Sequence, residues 1–191
     1  MCAECPSRLA RDLDSAFPEF VRHHQDLVFG MARRMTPTLA DAEDLAQEAF
    51  IRAYRALAGY DRGRVQALRP RGWLATIATN IGRNRARRRS AVTADLEAVP
   101  EPLADASRQP EAVAERRAEA RAWRSRLDRL SPRQRRAVEL RHVDGLSYPE
   151  LAEALGKPVG TVKSDVHRGV AALREILEAE RRAEVAAEVS V

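Results

Sequence analysis

Between Ser147 and Leu177 the chain reads SYPELAEALGKPVGTVKSDVHRGVAALREIL, with Ala152, Gly156 and Val162 at the spacing A-x3-G-x5-V. Each position has a steric reason. A small residue at 152 lets a second helix cross closely over the first. Gly156 supplies the positive φ of a tight turn between them. Val162 fills the groove between the two helices. Leu151, Leu155, Val166, Val170 and Leu173 continue the buried side. An ordinary helical hairpin with a glycine turn would meet the same spacing. What favours DNA is the exposed set at the start of the last helix: Thr161, Lys163, Ser164, Asp165, His167 and Arg168. Short polar and basic side chains in that place suit a helix that enters a major groove. By chemistry, Thr161, Lys163, Ser164 and His167 are candidates for base edges. Arg133, Arg141 and Arg168 are candidates for phosphates, which position without specifying. His167 reads equally well as a neutral surface histidine.

The rest of the sequence is patterned for helices too. Phe17, Phe20, Val21, Leu27, Val28, Met31 and Met35 fall on one helical face, capped by Ser15 or Asp14 with Pro18 in the first turn. Thr38 and Asp41 have the form of a capping box before Leu39, Ala42, Leu45, Ala46, Ala49, Phe50, Ala53 and Leu57. A third helix is predicted from about Gly72, carrying Trp73, Leu74, Ile77, Ala78 and Ile81 and running out into RNRARRR. Ser131-Pro132 opens another, and Ser147 caps the one after it. No segment alternates with period two, so the predicted fold is all-α. Aromatic residues make up only 5% of 191 residues, which argues for small helical units rather than one large core. The predicted organisation is a loose arm over 1–14, a helical domain over 15–89, a linker over 90–122, a helix-turn-helix domain over 123–177 and a tail over 178–191.

Charge is segregated along the chain. Residues 61–89 hold nine Arg and one Asp, residues 90–115 six acids and one Arg, and residues 123–177 eleven Lys or Arg and seven acids. Two basic blocks around an acidic, proline-containing one suggest a polyanion touched twice, although either block alone could be a solvated helix face. In the first block Asn80 and Asn84 lie one turn apart, with Arg83, Arg87 and Arg88 beside them. Amides and guanidiniums on one face can bond bases as well as phosphates. Asp44, Gln47 and Glu48 form a polar face opposite Leu45 and Phe50. They suit either the positive end of a helix dipole or docking on another protein. No run approaches the ~20 apolar residues of a membrane span, and no secretory signal is visible. Cys2 and Cys5 form a lone CxxC, half a zinc site at best or a redox pair, to which His23 and His24 could add ligands. The expectation is a cytoplasmic protein without metal or cofactor.

DAEDLAQEAFIRAYRAL, GWLATIATNIGRNRARRR and LSPRQRRAVELRHVDGLSYPELAEALGKPVGTVKSDVHRG, in that order, resemble the alternative sigma factors of bacteria. The similarity is to the small extracytoplasmic-function type, which has regions two and four only. The resemblance implies a promoter-specificity subunit of RNA polymerase, with no catalytic machinery of its own. It implies two partners, promoter DNA and the polymerase core (the clamp helices of the largest subunit and the flap region), and an anti-sigma factor as a third. Asp44, Gln47, Glu48 and Phe50 fall on the motif that docks on the clamp helices. Asn80, Arg83, Asn84, Arg87 and Arg88 fall on the segment that reads the −10 element. The loop around 61–71 resembles one that captures a flipped base. The helix-turn-helix resembles the reader of the −35 element, with one departure: Asp165-Val166-His167 stands where Arg-Leu-His is usual. An acid facing phosphate is repelled, so Asp165 must pair locally or accept from a cytosine amine.

Two other classes compete with this one. A response regulator with a helix-turn-helix half would need an α/β receiver, which residues 1–89 do not suggest. A recombinase would need a catalytic Ser or Tyr among arginines; Tyr54 and Tyr60 lie near arginines, but within helix and loop without further support. In the resembled family the linker threads the polymerase, so its six acids can imitate a nucleic-acid backbone in a basic channel. Replacing those acids with neutral residues is expected to weaken core binding or alter the short products of initiation. Unchanged products in an abortive-initiation assay would remove that role.

Overall fold

The computed structural model describes residues 5–92 and 110–189, and no strand occurs among them. Nine α-helices are present among the described residues: α1 (Cys5–Arg11), α2 (Leu13–Met35), α3 (Leu39–Ala58), α4 (Arg62–Gln66), α5 (Pro70–Val92), α6 (Pro110–Asp128), α7 (Pro132–Val138), α8 (Tyr148–Leu155) and α9 (Val159–Val189). A π-helical turn, Glu139–Val143, follows α7. The helices fall into two compact units, one built on α1–α5 and one on α6, α7 and α9. The all-helical, two-unit reading of the sequence therefore holds.

In the first unit α2, α3 and α5 pack on one another, and α1 packs on α2 and α4. Phe20, Val28 and Met31 of α2, Leu45 of α3 and Leu74 and Ile81 of α5 are all fully buried. Thr38 caps α3 by accepting from the Asp41 N–H at 3.1 Å, and its hydroxyl donates to the Asp41 carboxylate at 2.8 Å. The cap of α2 differs from expectation. Asp12, not Asp14 or Ser15, accepts from the Ser15 N–H, so Pro18 lies inside the helix rather than in its first turn. Residues 5–11 are also no loose arm. They form α1, which buries Cys5, Pro6 and Leu9, and Arg8 pairs with Glu19 of α2. A seven-residue helix is too short to persist alone, so burial on α2 and α4 is what holds it. The same applies to α4, five residues capped by Asp61 inside the segment read as a loop.

In the second unit Leu130, Val138 and Leu173 form the buried cluster, with Leu127, Val170, Ala172 and Ile176 packed around it. Ser131 caps α7 with a complete capping box through Gln134, and Pro132 follows at the first helical position. Glu150 closes a second box at α8, accepting from the Ser147 N–H at 2.7 Å. Gly145 and Gly156 have φ of 66° and 62°, and no other described residue has a positive φ. Gly156 marks the turn expected of it, and Gly145 marks another just after the π-helical turn. The predicted linker is partly helix, since α6 takes up residues 110–122, while 93–109 lie outside the described residues. The predicted tail continues α9 through Val189, with Arg126 and Arg129 of the α6 end pairing with Glu180. Among the described residues no helix is long and apolar enough to cross a membrane.

Two glycines set helix spacing. A Cβ on Gly82 of α5 would lie 2.8 Å from Met35 Sδ, a flexible side chain that can swing away. A Cβ on Gly169 of α9 would meet Val138 Cγ2 at 2.6 Å and the Gln134 Cβ and carbonyl oxygen at 3.3 Å. Neither a branched side chain nor a helix backbone yields easily. Gly169→Ala is expected to destabilise the second unit by about 1–3 kcal/mol, the usual cost of overpacking. Gly160→Ala, whose Cβ meets nothing within 4 Å, is the control and should leave stability unchanged or slightly raised. Thermal melts of the two variants, with hydrogen exchange in α7 and α9, check the difference.

Candidate nucleic-acid interface

Helix α5 has two chemically distinct sides. Trp73, Leu74, Ala75, Ala78 and Ile81 are buried, so Trp73 is core. Past Ile81 the inner side continues with arginines instead of apolar residues. Arg85 reaches Glu48 Oε2 at 2.7 Å and the Asp41 carbonyl at 3.3 Å, and Arg89 reaches Asp41 Oδ1 at 2.9 Å. Two acids of α3 thereby neutralise the inner face of the basic helix. Asn80, Arg83, Asn84, Arg87 and Arg88 stand exposed on the other side, at i, i+3, i+4, i+7 and i+8. The five residues singled out from sequence thus form one continuous stripe. In the 61–71 segment the Arg64 guanidinium lies 3.7 Å from the centre of the Tyr60 ring, and Tyr60 leans on Trp73.

On α3 the predicted docking residues separate. Asp44 and Gln47 are exposed, and Gln47 and Phe50 help line an open groove of ≈ 320 Å³ between α2 and α3. Val21 and Phe29 make the groove apolar, and Asp26 and Glu43 give it acids. Glu48 faces its own unit, bonded to Arg85 and, at 2.5 Å, to Arg52. Desolvation pushes its pKa up, but the hydrogen bond from Arg85 and the charges of Arg52 and Arg85 outweigh this and hold it below the ordinary glutamate value. Ile51 was not among the expected residues. It is 51% exposed and stands with Asp44 and Gln47 on one stripe of α3. A branched apolar residue one turn beyond Gln47 was the sequence signal for it.

In the second unit Lys163, Ser164, His167 and Arg168 are exposed at the start of α9, and Thr161 is half-buried. Lys163 lies over the Tyr148 ring. Arg141, read as a phosphate contact, is engaged within its own turn: it donates to the Leu146 carbonyl at 2.7 Å and stacks on Tyr148. Asp165 is only 3% exposed. Its carboxylate accepts from Lys157 Nζ and Arg168 Nη2, both at 3.2 Å, and Arg133 Nη2 lies at 3.7 Å. Of the two roles open to it, this is local pairing. Burial raises its pKa, but the Lys157 hydrogen bond, the charges of Lys157 and Arg133 and the bond from Arg168 prevail and lower it overall.

No cluster of three metal-ligating side chains occurs among the described residues. Cys5 is buried, and Cys2 lies outside those residues. His23 bonds the Glu19 carbonyl, while His24 is buried edge-on to Phe20. Tyr54 donates to Asp14, which raises its pKa and makes it a poorer nucleophile. No receiver-type sheet exists in residues 5–92.

Two helical units, one with an outward arginine–asparagine stripe and one with a polar, basic helix start, have the build of a nucleic-acid-binding protein. Comparison with known proteins makes this specific. The Sigma-70 region 2 model matches residues 20–92, and the Sigma-70 region 4 model matches residues 120–173. The chain is 38% identical over 167 residues to the ECF RNA polymerase sigma factor SigE of Mycolicibacterium smegmatis, covering 85% of this chain and 62% of that longer one. It is 39% identical over 163 residues to the RNA polymerase sigma-E factor of Streptomyces avermitilis, covering 85% of each. Among solved structures it resembles CnrH in complex with the cytosolic domain of CnrY, at 26% identity and a TM-score of 0.66, over 93% of this chain and 97% of that one. The sigma factor RpoE of Bartonella quintana, solved with the anti-sigma factor NepR, shares the fold at 24% identity and a TM-score of 0.60, over 84% and 97%. The chain belongs to the ECF RNA polymerase sigma factors.

The Glu48 ion pairs carry a pH signature. A lowered folded-state pKa means that their contribution is complete above the ordinary glutamate value and fades as pH falls through the folded one. Glu48→Gln should therefore cost the first unit less than about 1 kcal/mol near neutral pH, given that the side chain is one-third exposed. The loss should shrink toward zero in acid. Urea melts across that pH range check it; a cost that stays constant into acid contradicts the assignment.

Proposed function

We propose that this chain is the promoter-specificity subunit of a bacterial RNA polymerase, working in the cytoplasm as a binding subunit rather than a catalyst. The observation that carries the reading is the match to both sigma regions, in order, within one chain aligned to relatives over most of its length. The exposed stripe of α5 is assigned to the −10 element. Arg83, Arg87 and Arg88 hold phosphates, while Asn80 and Asn84 offer amides to bases. Reading a melted strand demands unpaired bases, and a cationic face that tracks the backbone lowers the cost of exposing them. The start of α9 is assigned to the −35 element. There Thr161, Lys163, Ser164 and His167 face base edges, and Arg133 and Arg168 face phosphates. Arg141 supports that surface by holding its own turn, which brings Tyr148 beneath Lys163.

Docking on the clamp helices of the polymerase core is assigned to the Asp44, Gln47 and Ile51 stripe and to Phe50 in the adjoining groove. Glu48 acts indirectly by fixing α3 against α5. The second unit serves the flap region, and an anti-sigma factor completes the set of partners. A response regulator is disfavoured because the first unit is helical. A recombinase is disfavoured because Tyr54 is held by Asp14.

Run-off transcription with purified core polymerase, followed by promoter mapping, tests the reading. The chain should bind core and start transcripts at a shared upstream sequence. No association with core at any salt concentration would end it. In the same assay, Arg83→Ala, Arg87→Ala and Arg88→Ala should each weaken promoter binding. Each should also make its salt dependence shallower, by about 0.7–0.9 in the log–log slope for every phosphate no longer held. Asn80→Ala should instead leave the slope unchanged and relax the choice of −10 sequence.

A further inference from the structure

We propose that Asp165 is a positioning residue that gathers Arg133, Lys157 and Arg168 into one phosphate-holding patch, and so strengthens promoter binding although it bears the charge of DNA itself. The proposal rests on the reading of the second unit as a DNA-binding one. Asp165 is 3% exposed, so its carboxylate is not offered to a base edge. It is shared among cations from three separate segments: Arg133 at the start of α7, Lys157 in the turn before α9, and Arg168 on α9 itself. The contacts are 3.7, 3.2 and 3.2 Å.

The charge balance is uneven in a useful direction. One carboxylate meets three cations, so the cluster keeps a surplus of positive charge. Lys157 is largely covered, whereas the Arg133 and Arg168 side chains are 65% and 63% exposed. A guanidinium has five N–H donors, so an arginine held at one edge still presents others to solvent. Without the carboxylate, three like charges would repel and the two long side chains would sample many rotamers. With it, much of that freedom is already given up before DNA arrives, which is the gain of pre-organisation. The geometry suits one group with several acceptor oxygens, and on a duplex that is a backbone phosphate.

Simple electrostatics and positioning predict opposite signs. Asp165→Asn keeps the side-chain shape and removes a negative charge. If charge alone mattered, the variant would bind promoter DNA more tightly and with a steeper salt dependence. If Asp165 positions the patch, the variant binds roughly tenfold more weakly, as when a charge-assisted hydrogen bond is no longer made. Its log–log salt slope falls by about 0.9, the equivalent of one phosphate. The measurement uses polymerase core with the full chain and a promoter fragment, over a salt series, with hydrogen exchange in α7 and α9 as the check that the second unit is folded. Equal or tighter promoter binding by Asp165→Asn overturns the proposal. Should that variant fail to fold, Arg133→Gln and Arg168→Gln, both at exposed positions, decide it. Combined in one chain they should lower the slope by about 0.9, the one phosphate that the gathered patch holds, and a fall of about 1.8, as for two phosphates held separately, overturns it. Failure of the unaltered chain to bind a promoter would instead remove the functional reading on which the proposal stands.

Discussion

Five arginines within seven residues, Arg83 to Arg89, would repel one another on any helix, most directly as the i,i+4 pairs Arg83–Arg87 and Arg85–Arg89. What makes α5 tenable is the acid-bearing face of α3 laid along it. Asp41 and Glu48 take up Arg89 and Arg85, leaving Arg83, Arg87 and Arg88 without a carboxylate among the described residues. The apolar stripe from Trp73 to Ile81 sets the rotation of the first half of α5, and these ion pairs set it for the second half. Rotation of the helix about its axis would therefore break core packing and ion pairing together. The outward stripe is fixed by what happens on the inward one.

The second unit applies the same physics in a more buried form. Asp165 is an acid placed among cations, but it lies almost wholly out of solvent and is shared three ways. A buried carboxylate is tolerable only when its lone pairs are met by charged donors, so its partners are held more firmly than those of a surface pair. Glu48 and Asp41 decide which arginines are withdrawn from the surface. Asp165 decides where exposed ones stand. In both units acids that look unfavourable for a DNA-binding chain shape its basic surface.

Much of this was legible in the sequence, for identifiable reasons. Thr38, Ser131 and Ser147 are caps because their effects reach only three residues along the chain. The α5 stripe was legible because a helix converts spacing directly into a face. Interactions that bridge distant segments were not legible. Nothing local announces that Arg85 is paired with a residue 37 positions earlier. Helices α1 and α4 were missed because their stability comes from burial against neighbours, not from their own seven and five residues. The misplaced cap of α2 follows from the same omission: once α1 exists, the break between helices falls at Asp12. The π-helical turn after α7 was also invisible, since one residue gained in a turn leaves the apolar pattern nearly unchanged.

The arrangement explains how a modest surface could read sequence at all. Phosphate contacts bring affinity without information, whereas amides and hydroxyls bring information with little affinity. On α5 the two kinds of group are interleaved, with Asn80 and Asn84 on the same stripe as Arg83, Arg87 and Arg88. On the proposed assignment the arginines hold the backbone, and the amides beside them on the stripe face the bases. At α9 the division is spatial: the exposed polar residues lie along one helix, and the cations are drawn together beside Asp165. Joining two such units in one chain makes the second contact effectively intramolecular once the first has formed. Neither unit then needs high affinity by itself, and a weak grip at each element leaves the correct pair of elements as the only well-bound combination.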